Sequence, residues 1–237
     1  ALNANKIGAN SYSEVILGLP GDSFNSHLKT LKTLVESSFN TISMYQLMML
    51  PGTELNTEQT RKTFKMKTGY RVLPRCFGYF DILGKEFSVA EIEEICISNS
   101  TLKFEDYLKS RELDLFVNIF YNDAIFEDLI LLFDNLTISK WDWIVFLFEN
   151  YKKFKFSELV NDFINDTKNE LSPKKKLLDF INKKENILKF ISGEYGNNLM
   201  FKYKSLSLTI YANAMFEMVE TLTKDFLNTK KVKSNPL

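Results

Sequence analysis

The chain is poor in the residues that build metal sites and covalent frameworks. Its 237 residues include two cysteines, Cys76 and Cys96, and one histidine, His27. Twenty residues separate the two thiols, which is neither a metal-ligand spacing nor a disulfide framework. The reading is therefore a cytoplasmic protein with reduced thiols. A lone histidine makes neither a metal site nor a triad, and His27 is expected to take a surface or capping role. An excess of one charge is missing too. Lys and Arg number 30, as do Asp and Glu. That balance gives no field to draw nucleic acid or a membrane surface, and neither is expected as a partner. Long apolar runs are also absent. The longest, such as residues 144–148, fall far short of the roughly 20 residues that span a bilayer. The first six residues lack the charged-then-apolar order of a secretory signal, and the sequence does not start with Met.

What is present is most legible at the start. Ser13-Glu14-Val15-Ile16-Leu17 is β-branched and mostly apolar, and reads as a strand. It stops at Gly18-Leu19-Pro20-Gly21-Asp22-Ser23, where Pro followed by Gly suits a type II turn. Asp22 or Ser23 can cap the helix that follows. Phe24, Leu28, Leu31, Leu34 and Val35 fall on one face of that helix. A second strand is expected over residues 41–50, ending at Pro51-Gly52-Thr53-Glu54. Leu19-Pro20-Gly21-Asp22 and Leu50-Pro51-Gly52-Thr53 are thus the same punctuation, one strand-helix unit apart. Strand, helix and strand of these lengths make a parallel βαβ unit with a right-handed crossover. Parallel strands bury both faces and occur almost only in larger sheets. The rest of the chain supplies no further βα repeats, so the missing strands are expected upstream of Ala1.

The remainder divides into two regions. Residues 56–99 are a mixed α/β extension: a polar helix over 57–66, an extended run over 70–78 around Pro74, and a strand over 91–97. Residues 100–237 read as helices only, over 104–121, 124–133 and 140–151, then through Leu159 and Phe163. A helix starting at Ser172-Pro173 should run to Gly193. A last helix carries Leu206 toward Phe226, and the basic tail from Lys230 is expected to fray. The fold class is α/β followed by mostly α. The many Phe and Lys residues read as genomic bias. Lys174, Lys175 and Lys176 read as a solvated face, and Trp141, Trp143, Phe146 and Phe148 as core.

The residues Glu14-Val15-Ile16-Leu17-Gly18-Leu19-Pro20-Gly21-Asp22-Ser23 resemble the fifth strand and turn of the radical S-adenosylmethionine (SAM) partial barrel. Met48-Met49-Leu50-Pro51-Gly52-Thr53-Glu54-Leu55 resembles the end of its sixth strand. Tyr70-Arg71-Val72-Leu73-Pro74-Arg75 and Leu102-Lys103-Phe104-Glu105-Asp106-Tyr107 are similar to the C-terminal extension of cobalamin-binding members. The resemblance implies that residues 1–55 are the last strand-helix-strand part of a partial TIM-like barrel. The rest of that barrel would belong to the upstream part of the same polypeptide. It implies a parent enzyme that uses SAM and a 4Fe–4S cluster, with cobalamin, for radical chemistry on a small-molecule substrate. The family's Cys-x-x-x-Cys-x-x-Cys motif is absent, so the resemblance gives this chain no cluster ligand and no catalytic residue, and no cofactor is expected on the chain alone.

By the same resemblance, Ile16 and Gly18 would sit on the adenine side of SAM, the glycine allowing close approach. Glu14, a carboxylate in an apolar strand, and Gln46 on the second strand would face the barrel lumen. For Glu14 the alternative is a surface or edge position in a different fold. Arg71 and Arg75 flank Pro74 and could hold an anionic substrate group, against the alternative of a solvated arginine pair. A second functional class stays open, a helical interaction module with a small α/β cap and no catalysis. The barrel reading predicts self-association through the exposed sheet edge, as a homo-oligomer.

Overall fold

A computed structural model describes residues 7–230. The first six residues and all of the expected basic tail after Lys230 lie outside them. Strand β1 (Tyr12–Leu17), helix α1 (Phe24–Glu36) and strand β2 (Thr41–Gln46) form the expected βαβ unit. β1 and β2 pair in parallel, with Glu14 opposite Ser43 and Ile16 opposite Tyr45. Both punctuation marks fold as type II turns. Asp22 N–H donates to Leu19 O at 2.9 Å with Gly21 at φ +83. Thr53 N–H donates to Leu50 O at 3.3 Å with Gly52 at φ +82. Ser23 caps α1, accepting from Ser26 N–H at 3.2 Å, while Ser23 N–H donates back to Ser26 Oγ at 2.8 Å.

The second strand is shorter than expected. After Gln46 the chain changes partners. Cys96 N–H donates to Leu47 O and Met49 N–H to Glu94 O, an antiparallel arrangement. A short helix α2 (Glu58–Thr63) follows, then a long hairpin of β3 (Lys67–Ile82) and β4 (Lys85–Ser98). Its ladder shifts register between Val72 and Phe77. Residues 70–78 and 91–97 are therefore parts of one hairpin rather than separate pieces.

Eight helices complete the described residues: α3 (Phe104–Phe120), α4 (Glu127–Asn135), α5 (Lys140–Asn150), α6 (Phe156–Asn169), α7 (Lys174–Ile181), α8 (Lys184–Ile191), α9 (Leu199–Leu208) and α10 (Ala212–Thr229). The helix expected from Ser172 to Gly193 is broken at Asn182 and Lys183. The break lets Leu177 of α7 and Phe190 of α8 both pack with Val72 of β3. The expected last helix is likewise split at Thr209–Tyr211, so Leu206 belongs to α9 and Val219 to α10.

The core is shared between the sheet and the helices. Val15, Ile42 and Met44 of the parallel pair join Phe116, Phe120, Trp143 and Phe156 in one cluster. Trp141 and Phe148 are buried there as expected, and Phe146 packs against it. Leu17 is fully buried with Leu102, just before α3, and Tyr107 in its first turn. The main helical core lies against one face of the parallel pair, while α7 and α8 pack on the hairpin. The alternation of β1 and β2 leaves the other face open, where Tyr12, Ile16 and Tyr45 are 73%, 43% and 51% exposed.

His27 is not at the surface. It is buried to 1% exposure, and its Nε2 lies 2.7 Å from Asp114 Oδ1. The expectation failed because His27 stands four residues before Leu31 and eight before Val35, on the face that α1 turns to the core, where it meets Asp114 of α3.

Candidate functional site

The open face of the parallel pair forms one wall of a cavity of about 610 Å³. β1 and β2 deliver Glu14, Ile16, Tyr45 and Gln46 to it, and the hairpin supplies Arg71 and Glu93 from the opposite side. Leu19, Leu50 and Leu55 line its rim. Alternation explains Glu14, Ile16 and Tyr45, but not Gln46, which lies opposite the buried Leu17. Val15 and Leu17 point into the core, so Glu14 and Ile16 must point out. Glu14 is exposed, and among the described residues nothing pairs with it. An exposed carboxylate incurs no burial cost, so its place in an apolar strand needs no partner.

Gly18 sits elsewhere. It is buried beside the cavity at φ +101, and a Cβ there would lie 3.3 Å from Cys96 O. The missing side chain leaves room for the protein's own hairpin. Asn99 locks this turn, donating through Nδ2 to Gly18 O and Leu19 O at 3.1 Å each. Asn99 Oδ1 accepts from Thr101 and Leu102 N–H at 2.9 Å each. The turn after β1 is thereby tied to the start of α3.

Arg71 is mostly buried and its fork is occupied by the protein. Nε donates to Glu93, Nη1 to Glu170 Oε1 at 2.8 Å, and Nη2 to Gln46 Oε1 at 3.0 Å. Burial alone would discourage its charge, but Glu170 and Glu93 hold the guanidinium firmly protonated. Burial raises the Glu170 carboxyl above its ordinary range, with Arg71 and Arg111 opposing. Arg71 thus connects β2, β3, β4 and the residue after α6 at the floor of the cavity. Arg75 does not join it. The register shift after Val72 turns Arg75 outward at φ +67, where its guanidinium lies 5.9 Å from the Phe201 ring centre. The arginine pair expected around Pro74 is therefore split, with one member buried and one exposed.

Sequence reasoning missed Arg111, Asp114, Glu93 and Glu170. Arg111 and Asp114 had a signal. They are charged and three apart, and Asp114 interrupts the apolar run of Leu113, Leu115, Phe116 and Val117. Glu93 and Glu170 had none, since a single glutamate in a strand or after a helix is usual at a surface.

Among the described residues no three His, Cys, Asp or Glu side chains converge as a metal set. Cys76 is half-buried and Cys96 buried. The residues present do not make an iron–sulfur ligand set. No protein-family model matches the chain. No curated protein is significantly similar to it. Among the described residues no helix is long and apolar enough to cross a membrane.

Proposed function

We propose that the chain is the C-terminal portion of a radical SAM enzyme, and that β1-α1-β2 closes its partial barrel. One observation carries the reading. A parallel pair is covered by helices on one face only, and its open face bounds a cavity at the strand ends where the two motifs sit. Open α/β sheets and barrels place ligands beyond the carboxyl ends of their strands.

In this reading the open face is the lumen side of the barrel. Further strands from an upstream part of the same polypeptide pair along the outer edge of β1. A cluster and SAM held by that other segment would supply the radical chemistry on a small-molecule substrate. This chain's residues form a wall. Ile16 and Tyr45 give apolar surface, Glu14 and Gln46 present polar groups to the lumen, and Arg71 braces Gln46 rather than offering a free fork. Gly18 acts by close packing on Cys96. The cobalamin assignment rests on residues 70–75 and 102–107 alone, and Val72, Leu102 and Tyr107 of these are core.

The test is a longer polypeptide that includes the upstream reading frame, reconstituted with iron and sulfide without oxygen. The expected result is a brown protein that releases 5′-deoxyadenosine from SAM on reduction. An upstream frame without Cys-x-x-x-Cys-x-x-Cys sinks the proposal. The second reading, a helical interaction module, is favoured by the core that α3, α5, α6 and α10 share.

A further inference from the structure

A second cavity, of about 320 Å³, lies along the outer edge of β2, between α3 and the start of α9. Its walls offer hydrogen-bond donors that the fold leaves unused. Thr41 and Leu47 N–H donate to Ser11 O and Leu17 O, so the odd-numbered residues of β2 face β1 and the even-numbered ones face the cavity. The Asn122 amide meets both outward groups of Ile42, donating to its carbonyl at 2.8 Å and accepting its N–H at 3.0 Å. The outward N–H groups of Met44 and Gln46, next on that edge, have no partner among the described residues. Asn198 caps α9, accepting from Phe201 N–H at 3.3 Å. The N–H groups of Leu199 and Met200 are left free at the positive end of the helix dipole.

Arg111 is the decisive residue. It lines this cavity with a side chain only 4% exposed, and it donates no hydrogen bond to any described residue. Its Nε is buried without a partner. Nη1 stands 3.8 Å from Asp114 Oδ2, close enough for attraction but too far for a hydrogen bond. A buried guanidinium with its donors unused is costly, since such groups are nearly always hydrogen-bonded. Asp114 Oδ2 is buried with no hydrogen-bond partner and meets Arg111 only through this long ion pair; the other nearby carboxylate groups are held by other cations. His27 holds Asp114 at 2.7 Å, Lys204 Nζ holds Asp123 at 2.6 Å, and Arg71 holds Glu93 and Glu170.

We infer that this cavity binds a small organic carboxylate, received by the Arg111 guanidinium, the free amides of β2 and α9, and the Asn118 side chain. An anion accepts from the Arg111 guanidinium and the free amides, and a planar carboxylate matches the guanidinium fork. The volume suits a ligand of a few heavy atoms. The site shares Tyr45, Gln46, Arg71, Pro74 and Asn198 with the cavity on the open face of β1 and β2, but it stands whether or not that face belongs to a radical enzyme.

The experiment is thermal unfolding of the chain with acetate, succinate, succinamide or inorganic phosphate, each at about 20 mM and matched ionic strength. Succinate or acetate should raise the melting temperature, and uncharged succinamide should not. Arg111→Met should abolish the shift. Asn118→Asp gives a second variant at a half-buried position. It keeps an oxygen for Lys204, which bonds Asn118 Oδ1 at 3.2 Å, but sets a negative charge in the cavity. It should weaken carboxylate binding by about tenfold or more while the protein stays folded. No shift with either carboxylate, an equal shift in Asn118→Asp, or a preference for phosphate overturns the inference.

Discussion

The buried His27–Asp114 pair shows what one residue decides in this protein. Burial pushes the imidazole toward the neutral form, but the Asp114 charge and hydrogen bond outweigh it, and the His27 pKa is raised. A raised pKa fixes the sign of the pH effect. The stabilisation is complete below the unfolded value of about 6.5 and fades as pH climbs through the folded value. His27→Leu leaves Asp114 buried without its partner and should cost about 3 kcal/mol at pH 6 in urea unfolding. The gap between wild type and variant should narrow toward pH 9, and a gap independent of pH contradicts the charged pair. The thiols give a second residue-scale contrast. Burial pushes Cys96 up to about 11, while Cys76 is partly open. Thiolate is the reactive form. Iodoacetamide at pH 8 should therefore label Cys76 in the folded protein and reach Cys96 only in denaturant, as peptide mass mapping would report.

At the scale of elements, β1 stands out. Its carbonyls at Ser11 and Leu17 bond toward β2, so the backbone groups of Tyr12, Glu14 and Ile16 face the other way. Among the described residues no strand takes them up. Such an edge is a template for another strand, and here it borders an exposed apolar face. The chain by itself should therefore self-associate with rising concentration in light scattering. Glu14→Pro removes one outward N–H at a position where an edge strand tolerates proline, and should return the chain toward monomer. A compact monomer at all concentrations, with little binding of a dye for apolar surface, favours the helical-module reading instead. The same alternation was legible in the sequence for β1, because Val15 and Leu17 are apolar partners at period two. The end of β2 was not legible. Tyr45 to Leu50 is equally suited to pairing with β1 or with β4, and only the approach of the hairpin at Glu94 to Cys96 decides it.

For the whole molecule, the helices and the parallel pair share one core. Short-range chemistry in the sequence determined a good deal. Pro20-Gly21 and Pro51-Gly52 specify their turns through φ preferences that act within four residues. The Leu and Phe spacing of α1 specifies its face. The lack of βα repeats after residue 55 specifies a mostly helical remainder. Tertiary structure decided the rest, because it depends on what approaches from far along the chain. His27 is buried because it sits on the core face of α1, where it meets Asp114 of α3. Arg71 is a brace and Arg75 a surface residue because a register shift in the hairpin turns one in and the other out. Gly18 is required by the carbonyl of Cys96, distant in sequence, and Arg111 reaches a cavity that exists only where α9 meets the edge of β2. Each outcome is a long-range contact whose partner no local pattern names.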